Sequence, residues 1–117
     1  MKTIVSHMSP DADAITSVWL IRSFMPGWKH ARIIFVPAGA TYENQLVDSI
    51  PSIIHVDTGL GRFDHHQSNE NTCASQKILN VLKKEKHITK NSEALERMIT
   101  FITDIDHFRD VFFPDPV

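Results

Sequence analysis

The sequence predicts an α/β domain with three layers, α/β/α, around a mainly parallel sheet. Two observations carry that prediction. Short β-rich runs alternate with helix-length segments, the pattern of βαβ units. Clusters of aspartate and histidine fall just past the ends of the strand runs, where parallel sheets bind ligands. With 117 residues, 42% of them hydrophobic, the chain has room for one core, so residues 1–117 read as a single domain.

The elements follow in order. Residues 3–5 are a buried strand feeding a loop, and Pro10 bars helix just before it. Residues 12–25 read as a helix with Ile15, Val18, Trp19, Leu20 and Ile21 crowding one side; Pro26-Gly27 stops it. On this reading Trp19 is core and Trp28 is partly exposed. Residues 31–36 are a second buried strand, closed by Pro37 and Gly39. Residues 41–49 suit a short helix with Thr41 as its N-cap. Residues 52–56 are a third strand, and Phe63 sits in a short fourth strand or a turn. Residues 74–86 and 92–105 are helical by pattern, with Ser92 the candidate cap of the second.

Composition excludes several classes. The formal net charge is −2 and the pI is near 6.4, so no global positive field attracts nucleic acid or anionic lipid. No basic and aromatic stripe is present to track a strand, which makes long nucleic acid a poor partner. Lys77, Lys83, Lys84, Lys86 and Lys90 read as the solvated face of a helix. A single cysteine, Cys73, excludes an intrachain disulfide; it precedes a helix start, where a thiol pKa can fall. No apolar window reaches the length of a membrane span, and no leader is legible at the N-terminus, so the expectation is a cytoplasmic protein without membrane contact.

Chemistry concentrates in four places. His7, Asp11 and Asp13 follow the first strand and run into a helix start. Negative charge is favoured there, and a cap explains one of the two aspartates but not His7. Asp57 follows the third strand and precedes Gly59, a position that also suits a turn former. Asp64-His65-His66-Gln67 places three metal-competent side chains in a row. Asp104 and Asp106, near the expected end of the last helix, either supply a further carboxylate or are ordinary terminal acids. Carboxylates brought this close repel, and divalent metal removes that repulsion. Mixed imidazole and carboxylate ligands suit manganese, cobalt, iron or zinc better than calcium. Two ions about 3.5–4 Å apart can activate a bridging water and neutralise a phosphoryl group.

In this order the residues resemble the DHH phosphoesterases, a family that includes RecJ-type exonucleases and family II pyrophosphatases. His7-x-x-x-Asp11-x-Asp13-Ala14 is similar to the first motif, Val56-Asp57 to the second, and Asp64-His65-His66 to the third; Asp104 or Asp106 is the loose match to the fourth. The stretch from Phe63 to Gln67 also looks like that of MYG-type proteins. The resemblance covers residues 3 to about 108.

It implies a DHH-type fold and a phosphoester or phosphoanhydride hydrolase dependent on two divalent ions, most often Mn, with Mg or Co as substitutes. His7 and Asp11 would bind one ion. Asp13, His65 and Asp104 or Asp106 would bind the other, with Asp57 bridging. His66 would face the substrate, and Asp64 would orient a neighbouring ligand. Arg62 and Arg109 flank the motifs and suit bidentate phosphate contacts, unless they are plain surface arginines; Gln67 is a further polar contact. The chain stops soon after the fourth motif, so the C-terminal domain that closes over substrate in relatives is expected to be absent. The expected partner is a small phosphorylated substrate or short nucleotide, and a second copy of the chain would cover an open cleft. The alternatives are a metal- and nucleotide-binding module without turnover, or a metal-dependent hydrolase of another bond.

Overall fold

Three short strands, β1 (Thr3–His7), β2 (Arg32–Val36) and β3 (Ile53–His55), form a parallel sheet in the order β2-β1-β3. The computed structural model describes residues 2–8, 11–64, 72–88 and 92–112, with side chains up to residue 105. The α/β class and the parallel sheet are as the sequence predicts. In register, Ile4 lies beside Ile33 and Ile54, and Val5 beside Ile34 and His55. β1 is central, and Thr3 to Ser6 are all buried. The expectation of a buried second strand is corrected: β2 lies at an edge, and Arg32 and Phe35 are exposed.

The three helices pack chiefly on one another, and the first of them joins them to the sheet. α1 (Ala12–Phe24) packs chiefly on α2 (Ala74–Lys84) and also touches α3 (Glu93–Phe112) and β1. The core lies between them, where Ile4, Ile54, Leu20, Ile78, Leu82 and Ile99 are almost fully excluded from water. Each such side chain contributes about 1.5–3 kcal/mol relative to exposure.

α1 ends where Met25 takes an extended conformation and its N–H bonds Ile21 O; Gly27 then turns the chain at φ +85°. The core-facing stripe of α1 is Asp13, Ala14, Ser17, Leu20 and Ile21, at spacings of three and four. That stripe puts Trp19 on the outer side. It is 45% exposed, correcting the core assignment, and with Ile15 and Lys29 it lines an open groove of about 700 Å³. Trp28 is the buried one, at 5%. Its backbone N–H bonds Met25 O, and Lys2 Nζ stands 5.1 Å from the ring centre.

The connection 37–52 lies against β3 and the loop that follows it. Its regular structure is one 3-10 turn, Tyr42–Asn44, rather than the expected helix over 41–49. The Tyr42 N–H is taken by His55 Nε2, and Glu43, Asn44 and Asp48 have left-handed φ, so no α-helical ladder can run through the segment. Phe63 sits in a turn, not a strand. α3 runs past the expected end at 105, because neither Gly nor Pro interrupts it before Pro114. Among the described residues no helix is long and apolar enough to cross a membrane.

Candidate metal centre

The carboxyl ends of β1 and β3 bring the first two motifs together. His7 closes β1, and Asp57 stands two residues past β3, level with it in the register that pairs Val5 with His55. His7 Nε2 lies 3.0 Å from Asp57 Oδ2, with 13% and 2% side-chain exposure. Asp11 joins them from the start of α1, where Oδ1 also accepts the Ala14 N–H at 2.9 Å. One donor atom from each of His7, Asp11 and Asp57 lies within 4.8 Å of the others. The chain leaves β1 for β2 on one side and returns to β3 on the other, so the cluster occupies the topological switch point.

The loop after β3 fixes Asp57 in place. Asp57 has φ +57°, a left-handed conformation that aspartate tolerates better than most residues. Its N–H bonds Phe63 O at 2.8 Å, and Phe63 is buried in the core. Leu60 also has φ +57°, a costly value for a leucine, and its N–H bonds Asp64 Oδ2 at 2.8 Å. Backbone held in this way against its preference concentrates at functional sites.

The donors fit a divalent ion. Adjacent ligands with bonds of about 2.1 Å stand roughly 3.0 Å apart around one ion, and His7 and Asp57 already have that separation. One imidazole with two carboxylates matches Mn, Fe, Co or Zn. Asp57 accepts from His7 Nε2–H, so that proton must leave or move to Nδ1 before Nε2 can bind metal.

The other residues singled out in the sequence have different surroundings. Asp13 is buried and stands outside the cluster. Oδ2 accepts the Ala74 N–H at 3.0 Å, and Oδ1 accepts the Ser75 N–H at 2.9 Å and the Ser75 hydroxyl at 2.7 Å. Asp13 therefore caps α2. Asp64 is buried, and its carboxylate braces the loop that carries Asp57. The Arg62 guanidinium lies 4.5 Å from the centre of the Phe63 ring. Asp104 lies exposed along α3, and Asp106 belongs to the same helix. Both acids are inside the helix, which corrects their expected place at its end. The side chains of Asp106 and Arg109, and all of His65, His66 and Gln67, lie outside the described residues.

Four residues near the site were not legible from the motifs. Lys77, read as part of a solvated run, donates from Nζ to Asp64 O at 2.9 Å. Ser75 holds Asp13. His55 is buried, and its Nε2 accepts the Tyr42 N–H at 3.1 Å, which leaves the ring proton on Nδ1. Burial pushes the His55 pKa down, opposed by the charge of Asp48. Cys73 is fully buried between Ser75 Oγ at 3.2 Å and Thr103 Oγ1 at 3.0 Å. Burial first, and then the Asp13 charge, push its thiol pKa up, the reverse of the expected lowering. The one clue to the Asp13 contact that could have been read is that α2 starts after a cysteine, which has no capping oxygen.

Compared with protein-family models, with curated proteins and with solved structures, the chain has no match, and the reading of the site stands on its own geometry.

Proposed function

We propose that the protein is a divalent-metal-dependent hydrolase of a small phosphate ester or anhydride, of the DHH type, acting in the cytoplasm. The convergence of His7, Asp11 and Asp57 at the switch point of the sheet carries this reading. These three residues would hold the first ion. A second would draw on Asp57 again, on His65 and on Asp104 or Asp106; Asp13, expected among its ligands, is held by α2 instead. Bound there, the ions would act as Lewis acids on the phosphoryl group and acidify water for the attack.

The protein's own groups do the rest. Asp64 keeps the loop 57–64 wound, so Asp57 stays aimed at His7. His66 would hand a proton to the leaving oxygen or hold a phosphate oxygen. Arg62, Arg109 and Gln67 would orient the phosphate, with Arg supplying bidentate contacts. The test is Mn²⁺-dependent release of phosphate from a general phosphodiester, pyrophosphate and dinucleotides. We expect Asp57→Ala and His65→Ala each to abolish it. Unchanged turnover in both variants would sink the proposal.

One observation favours a second reading, a metal- and nucleotide-binding module without turnover. The two oxygens of Asp13 are engaged by α2, so among the described residues the clustered donors suffice for one ion. Tight nucleotide binding without turnover, with one Mn²⁺ per chain, would select it.

A further inference from the structure

Asp57 is held from two sides. Phe63 anchors its loop in the core, as described above. On the other side the loop lies against the segment 40–48. The Thr58 hydroxyl donates to Ala40 O at 2.8 Å. A methyl group on Gly61 would lie 2.5 Å from Val47 Cγ2 and 2.6 Å from Asp48 Oδ2. A methyl on Gly59 would lie 3.1 Å from Thr41 Cγ2 and 3.3 Å from Val47 Cγ2. The two glycines thus let the two segments meet backbone against side chain. At that junction Asp48 Oδ2 accepts the Arg62 N–H at 2.8 Å. Asp48 has φ +59°, so its backbone is turned into a conformation that costs energy unless something rewards it.

From this geometry we propose that Asp48 is a positioning residue of the metal centre. By holding the Arg62 N–H it seats the loop 57–64 on the segment 40–48, and so sets where the Asp57 carboxylate stands relative to His7. The inference rests on the metal reading above. Partners bonded to a ligand itself are worth about 10–100-fold in metal affinity; Asp48 acts one step further out, through the loop that carries Asp57, which puts its effect at the lower end of that range. The 37–52 connection then has a role beyond joining β2 to β3: it is the wall against which a ligand loop is set.

Two variants isolate the effect. Asp48→Gly deletes the acceptor and keeps the left-handed φ without strain. Asp48→Asn keeps both an acceptor oxygen and tolerance of that φ. Mn²⁺ binding to the full chain is titrated by the electron paramagnetic resonance of the free ion, well below the melting temperature of each protein. The unmodified chain binds. Asp48→Gly is expected to bind roughly tenfold or more weakly, and Asp48→Asn within about threefold of the unmodified chain. A residue that served folding alone would lower the melting temperature and leave the affinity of the folded chain unchanged. Equal affinities for Asp48→Gly and the unmodified chain overturn the inference and leave the metal reading standing. A loss in Asp48→Asn as large as in Asp48→Gly also overturns it, because charge rather than the hydrogen bond would then be responsible. Failure of the unmodified chain to bind Mn²⁺ overturns the metal reading, and this inference with it.

Discussion

The first turn of α1 and the first turn of α2 solve the same problem in opposite ways. Each helix begins with backbone N–H groups that lack partners inside the helix. At α1 the answer is local: Asp11 stands at the N-cap, and its carboxylate takes the Ala14 N–H. At α2 the answer is remote. Cys73 occupies the cap without a side-chain bond to the helix, and Asp13 reaches across from α1 to take the Ala74 and Ser75 N–H groups. Two aspartates two residues apart thus serve different helices. The local cap leaves Asp11 half open to water and beside His7, while the remote cap buries Asp13 and ties α1 to α2.

The largest effect should come from the remote cap. Asp13→Ala strands two buried N–H groups and the Ser75 hydroxyl, at about 1–3 kcal/mol for each unsatisfied group. We expect a total loss of roughly 3 kcal/mol or more in urea unfolding, and a smaller loss for Asp13→Asn, which keeps one acceptor oxygen. A cost below about 1 kcal/mol would mean that α2 finds its cap elsewhere.

An alkaline effect of intermediate size should follow from Cys73. Its thiol pKa is raised in the folded chain, by burial and then by Asp13. The folded protein therefore keeps a proton that the unfolded chain releases. The associated stability is complete below the ordinary thiol range and is lost as pH rises from that range towards the raised native value. Urea midpoints measured from neutral to alkaline pH should fall, and Cys73→Ala should flatten that part of the profile. Asp13→Asn should shrink the fall, since it removes the second cause of the shift. An unaltered slope in Cys73→Ala would assign the alkaline loss to another group.

The smallest stability effect should belong to the local cap. Asp11→Ala is expected to cost about 1 kcal/mol, yet to weaken Mn²⁺ binding strongly, because it would remove one of the three proposed ligands. If the two aspartates exchanged ranks, with Asp11→Ala the more destabilising, Asp13 would not be the cap on which α2 depends.

The same contrast sorts what was legible in the sequence. β1 and α2 could be read because a short β-branched run and a clean 3.6-residue stripe are local signals. That one of the two aspartates caps α1 was legible for the same reason; that it is Asp11 was not. The contact from Asp13 to Ser75 spans 62 positions, and no periodicity announces it. α1 misled because its buried stripe is small and polar, with Asp13, Ala14 and Ser17 facing the protein and Ile15 and Trp19 facing out. The connection 37–52 misled because Thr41 looks like a cap, whereas the Tyr42 N–H is claimed by a histidine on another strand. At the candidate site, residue types and strand ends were enough to name His7, Asp11 and Asp57. The supports from Lys77, Ser75 and Asp48 arise from tertiary neighbours and have no sequence pattern of their own.

The pairing of β1 with β3 has a kinetic consequence. His7 and Asp57 are 50 positions apart and come face to face across that ladder. Contacts of such long range carry a large loop-closure entropy and tend to form late in folding. A divalent ion held between the two strand ends would then act after the main barrier. It would do little for the folding rate but would slow unfolding, since it stabilises contacts absent from the transition state. The centre would work as a clasp on the sheet's longest-range seam, and the lifetime of the folded state would lengthen with the free metal concentration.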